Sequence, residues 1–177
     1  MHSLINILPH SASFTCLRLQ RLAACISAVL SLLLCPVPGH ALDIHPYNPG
    51  DWQTLVSSRN QQPMIVHFWG FTCGPCLEEL PRWGKFVGQH PTLNTVFIEV
   101  DQIPAAMALQ ALTEAQLTQA VHRSSTAYFD EYMRYEIDPK WMGELPLTLL
   151  ISPSGEVKRL RGAADFTVID TWLKHLQ

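Results

Sequence analysis

Apolar residues recur along the chain in two periods, and the changes of period mark its elements. After the turn-forming run Asn48-Pro49-Gly50-Asp51, residues Trp52, Leu55 and Val56 fall at helical spacing and predict a short helix to about Ser58. Met64 to Trp69 is a continuous β-branched and aromatic run, the pattern of a strand buried on both faces. A helix is predicted from Gly74 to about Val87, and a second buried strand from Leu93 to Val100. Ala105 to Val121, rich in Ala, Leu and Gln, reads as one long helix, and Thr126 to Tyr135 as another. Leu147 to Ile151 and Glu156 to Leu160 are strands joined by the turn Pro153-Ser154-Gly155, and Phe166 to Leu176 closes the chain as an amphipathic helix capped by Asp165 or Thr167. Strand, helix, strand, helices, hairpin, helix is an α/β order with parallel early strands and an antiparallel last one.

The first residues break this order. Arg18 and Arg21 precede the uncharged stretch Leu22 to Leu34, which is signal-peptide length and short of the roughly 20 apolar residues of a membrane span. Pro36, Pro38 and Gly39 end it, and Gly39-His40-Ala41 supplies small residues where a signal peptidase cuts. Residues 1–41 are therefore expected to be a cleaved signal peptide, with an uncleaved anchor as the alternative, and 42–177 a single domain outside the cytoplasm, in the periplasm. The tetrapeptide ending at Cys25 resembles a lipidation signal, but its apolar run follows the cysteine instead of preceding it.

The whole chain is 47% apolar and 15% charged, as a globular protein is. Cleavage after Ala41 leaves 10 basic against 15 acidic residues, which argues against nucleic-acid binding. It also removes Cys16, Cys25 and Cys35, so only Cys73 and Cys76 remain. A loop of two intervening residues is too short to stabilise a fold much as a staple, and one CxxC is half a zinc site.

The pair is placed where a buried strand meets a helix. Unpaired amides and the helix dipole at that tip stabilise a thiolate, which makes Cys73 the expected exposed nucleophile. Cys76, one turn further in, is expected to be buried and to resolve the mixed disulfide. Gly74 and Pro75 fit a tight first turn.

The window Phe68-Trp69-Gly70-Phe71-Thr72-Cys73-Gly74-Pro75-Cys76, continuing through Glu79 to Pro81, resembles the thioredoxin superfamily and its exported TlpA-type branch, a likeness that runs from about Trp52 to Leu176. The resemblance implies a thioredoxin-like fold, a redox-active Cys73–Cys76 disulfide and thiol:disulfide exchange with no organic cofactor and no metal. It further implies a protein disulfide as substrate and a membrane thiol donor as partner; the protein is expected to be a monomer.

Residue by residue, the pattern puts its cis-proline at Pro146, with the backbone of Leu145 opposite Cys73 to pair with an extended substrate chain. It puts the helix-kinking proline at Pro81, a family glycine at Gly162, and at Glu79 an acid close to the thiols. Phe68 and Trp69 match as core, with Trp69 flanking the disulfide at the substrate rim. Thr72 replaces the tryptophan of ordinary thioredoxins. His67 stands where those have a buried aspartate: it either takes the proton of Cys76 or is a core histidine bonded to a backbone carbonyl. The segment from Gln102 to Gly143 reads as a helical insertion where the TlpA pattern has a strand and a helix. The Gly-Pro spacer favours a reductase over a Dsb-like oxidase. A non-enzymatic Sco-like copper chaperone, with His122 or His175 as third ligand, is the other alternative, although its cysteine spacing differs.

Overall fold

The computed structural model describes residues 42–176, so the expected signal segment and its cleavage site lie outside the described residues. Six strands form one sheet: β1 (Ile44–Tyr47), β2 (Met64–Trp69), β3 (Asn94–Glu99), β4 (Val121–Ser125), β5 (Leu147–Ile151) and β6 (Val157–Arg161). Their spatial order is β1-β4-β3-β2-β5-β6. The first four are mutually parallel, while β5 runs antiparallel to β2 and β6 antiparallel to β5. Five helices accompany them: α1 (Asp51–Ser57), α2 (Gly74–Gln89), α3 (Ala105–Glu114), α4 (Glu131–Ile137) and α5 (Phe166–Lys174).

Alternation along β2 builds a core on each face of the sheet. Met64, Val66 and Phe68 join one cluster, with Trp52 of α1 and Met133 of α4. Ile65 and Trp69 point the other way, into a second cluster with Cys76, Leu80 and Trp83 of α2 and Ile169 of α5. His67 shares that second face by the same period of two, which puts an imidazole beneath the helix that carries the cysteines. Gly84 brings α3 close: a Cβ there would lie 1.8 Å from the carbonyl oxygen of Ala115.

The segment 102–143 departs from the helical insertion expected of it. The long helix predicted over Ala105 to Val121 stops at Glu114, where Gln116 adopts φ 59° and the Leu117 N–H bonds to Leu112 O at 2.9 Å. Val121–Ser125 then runs as β4 between β1 and β3, and the next helix is α4, shifted to Glu131–Ile137 and capped by Asp130, which accepts from the Met133 N–H. The segment thus contains a strand between two helices. β1 was not anticipated either: it is four residues long and contains Pro46, and its middle is exposed, as befits an edge. Asp165 rather than Thr167 caps α5, accepting from the N–H groups of Thr167 and Val168.

Candidate redox site

Cys73 is the N-cap of α2, with extended φ −93° and ψ 100°, and Pro75 lies in the first turn. It is joined to Cys76 by a disulfide. Its Sγ accepts from the Cys76 N–H at 3.2 Å, an amide of the first turn that also donates to Cys73 O at 3.1 Å, so the helix start is already directed at this sulfur. Cys73 is half-buried, whereas Cys76 is fully buried against Trp69 and Leu80. Only the leading sulfur can be reached from solvent, and it sits in the field that stabilises a thiolate.

Beneath the pair lies a closed polar group in an apolar setting. Glu79, one turn beyond Cys76, is 3% exposed, and its Oε2 accepts the Ala164 N–H at 2.7 Å. Its Oε1 faces Nε2 of the fully buried His67 at 3.2 Å, off the line of a good hydrogen bond, and neither atom has another partner. Nδ1 of His67 is 3.0 Å from the Thr148 hydroxyl on β5, not from a backbone carbonyl. Trp83 and Phe97 pack on the ring at 4.9 and 5.3 Å between centroids. One carboxyl group and one imidazole therefore face each other in the interior, tied to β5 and to the loop before α5.

On the rim, the exposed Thr72 donates through both its N–H and its hydroxyl to Asp101 Oδ2, at 2.7 and 2.8 Å. Gly70 makes room: a Cβ there would sit 2.8 Å from that same oxygen. The Asp101 N–H in turn donates to Glu99, which is 1% exposed and also accepts from the Ser124 hydroxyl at 2.7 Å. Burial pushes the Glu99 carboxyl above its ordinary value, against the opposing pull of Ser124 and the Asp101 N–H. Sequence reasoning passed over Asp101 and Glu99. The signal was there in Ile98-Glu99-Val100-Asp101, an acid inside a strand buried on both faces.

No family model matches the sequence, and no curated protein matches it. Solved structures do. A secreted Mycobacterium tuberculosis disulfide oxidoreductase homologous to E. coli DsbE is similar over 68% of this chain and 86% of its own, with 16% identity and a TM-score of 0.54. MTB DsbF is similar over 68% and 85%, with 20% identity and a TM-score of 0.54. A thiol-disulfide oxidoreductase from Bacteroides fragilis is similar over 67% and 83%, with 18% identity and a TM-score of 0.50. The fold is thioredoxin-like.

Within the thioredoxin-like frame, the Leu145–Pro146 peptide is cis, and the Gly162 N–H, at φ 78°, donates to Pro146 O at 2.9 Å. Leu145 is half-buried and packs against both cores. Pro81 lies within α2, and Glu78 is exposed. Trp69 departs from the rim role given to it: it is 1% exposed and packs in the core, because it ends a strand covered on both faces. His122 directs Nε2 at Leu117 O at 2.6 Å in the core, and His175 is the C-cap of α5. Among the described residues, no three His, Cys, Asp or Glu side chains converge as a metal site, and no helix is long and apolar enough to cross a membrane.

Proposed function

We propose that this chain is an exported thiol:disulfide oxidoreductase that acts as a reductase of protein disulfides in the periplasm. The observation that carries the reading is the Cys73–Cys76 pair at the start of α2, one sulfur reachable and the other buried. In the reduced protein the Cys73 thiolate attacks one sulfur of a substrate disulfide, and the other sulfur leaves as a thiolate. Cys76 loses its proton, attacks Cys73 Sγ and expels the second substrate thiolate, so two electrons pass to the substrate, its two thiolates take up protons from solvent, and the Cys73–Cys76 bond forms. A membrane dithiol donor, oxidised in exchange, returns the pair to its reduced state.

Glu79 and His67 are assigned the proton that leaves Cys76. What supports this is their position one turn along α2 and on the strand below it, with no solvent to compete. Leu145 and Pro146 present main chain to an extended substrate segment, and Thr72 forms the rim beside Cys73. Export is supported by residues 1–41 and by a secreted protein of the same fold. The Gly-Pro spacer supports reduction over oxidation.

The reduction potential of the Cys73/Cys76 couple in glutathione buffers tests the direction. A value near thioredoxin's, about −270 mV, is expected; one near about −120 mV would make the protein an oxidant. Cu(I) titration of the reduced protein beside an insulin-reduction assay tests the class, and tight copper binding without turnover would replace the enzyme with a copper chaperone.

A further inference from the structure

Six large hydrophobic side chains stand exposed among the described residues, and four of them lie between residues 128 and 142. Tyr128, Tyr132, Tyr135 and Met142 are 66–83% exposed, against about 40% for the other two. Single exposed apolar residues are ordinary, but a cluster of this kind marks a surface that meets something.

Two hollows are cut into this surface. The inner one, about 260 Å³, is walled by Asp101, Tyr128, Trp141 and Leu145. The outer one, about 450 Å³, is walled by Tyr132, Tyr135, Trp141 and Met142. Arg134 and Trp141 line both, so the two hollows adjoin and together are termed the trench. The inner end reaches the redox site. Asp101 holds Thr72, the residue before Cys73, and Leu145 packs on the same core as Cys73 itself.

Chain geometry ties the two together. A substrate whose cysteine meets Cys73 carries its neighbouring residues away at about 3.3 Å each in extended form, and the inner hollow, lined by Asp101 and Leu145, lies on the Thr72 side of the disulfide. Arg134 lines both hollows, with Asp101 in the inner and Glu131 in the outer, so the surface carries a single net negative charge and is otherwise aromatic and apolar. Tyrosine and tryptophan rings give broad contact area at small cost in side-chain entropy, and their surfaces suit apolar and aromatic partners.

We infer that the trench is the substrate-selecting surface of this oxidoreductase: it holds an extended segment of the disulfide-bearing protein with apolar or aromatic side chains next to its cysteine. This rests on the oxidoreductase reading and adds the class of sequence that the enzyme prefers. It also gives segment 102–143 a task, since α4 and the loop to Leu145 build most of the trench.

The experiment compares three disulfides with the purified reduced protein. Two are peptide disulfides of equal length, one with Phe and Trp beside the cysteine and the other with Ser and Gly; the third is glutathione disulfide. Wild type should favour the aromatic peptide about tenfold in kcat/KM, and the double variant Tyr132→Ala/Tyr135→Ala should lose that preference. Its rate with glutathione disulfide should be unchanged, which also shows that the variant is folded. Equal rates for the two peptides in wild type, or a preference that survives the double variant, overturns the inference while leaving the oxidoreductase intact. Inactivity of wild type on all three disulfides overturns both. Sedimentation of wild type showing a dimer that the double variant abolishes would assign the trench to a second copy and overturn the inference.

Discussion

His67 and Glu79 sit where a chain that needed only a core would place two apolar side chains. Burying a carboxylate and an imidazole together costs free energy unless each finds a partner, and here they satisfy one another incompletely: Oε1 and Nε2 are close but poorly aligned. In the proposed mechanism this pair takes the proton that leaves Cys76. His67→Asn should therefore change the pH dependence of disulfide exchange between pH 5 and 9, and Glu79→Gln should change it as well. The measurement is kcat/KM across that range for wild type and both variants, with thermal melts to confirm folding; superimposable profiles would confine the two residues to packing. At this scale the sequence was informative where chemistry leaves a short motif. Cys73, Cys76, Glu79 and His67 could be picked out, because CxxC spacing and a polar residue in an apolar strand are local signals. The pairing of His67 with Glu79 was not visible, since it depends on β2 passing under α2, and Asp101 was missed because its bond to Thr72 spans a 29-residue separation.

Elements were legible where both faces of the chain are dry. β2, β3 and β5 are mostly apolar and buried almost throughout, and their bounds follow from that to within a residue. β4 was hidden because its five residues, Val121-His122-Arg123-Ser124-Ser125, have no apolar alternation and follow a run of strong helix formers. What makes them a strand is pairing with β1 and β3, a tertiary effect that local propensity does not carry. α2 offers a test of packing at the same scale through two of its glycines. Gly84→Ala puts a methyl 1.8 Å from Ala115 O and should cost about 1–3 kcal/mol as overpacking. Gly88→Ala meets nothing within 4 Å and should stabilise by about 0.5–1 kcal/mol through helix propensity. Urea unfolding of the oxidised protein separates them; equal effects would mean that the approach of α3 to α2 is looser than described.

For the whole molecule, the buried titratable groups set how stability varies with pH. His122 on β4 is 1% exposed; its Nε2 donates to Leu117 O, and its Nδ1 has no partner beside Phe97. A proton on Nδ1 would be a buried charge without compensation, and burial accordingly lowers the pKa from 6.5 to about 4, against the smaller opposing effect of the Leu117 bond. A depressed histidine is bound to fewer protons in the folded than in the unfolded chain between these values. Its contribution is therefore complete above pH 6.5 and is lost as pH falls from 6.5 toward 4, amounting to about 2 kcal/mol between pH 7.5 and 5. Glu99 works in the opposite sense, since a raised carboxyl favours the fold at low pH and loses that contribution as pH rises past 4.5. Asp138 acts further down. Burial would raise it, but the Lys140 N–H and the Arg159 and Arg161 guanidinium groups hold it below 3.8, so its share is lost only in stronger acid. Both carboxylates are common to wild type and a His122→Gln variant, so the difference between the two proteins isolates the histidine. Urea midpoints at pH 5, 6 and 7.5 should show the variant losing about 2 kcal/mol less than wild type across that interval. Parallel curves would show that His122 takes up its proton inside the fold without penalty.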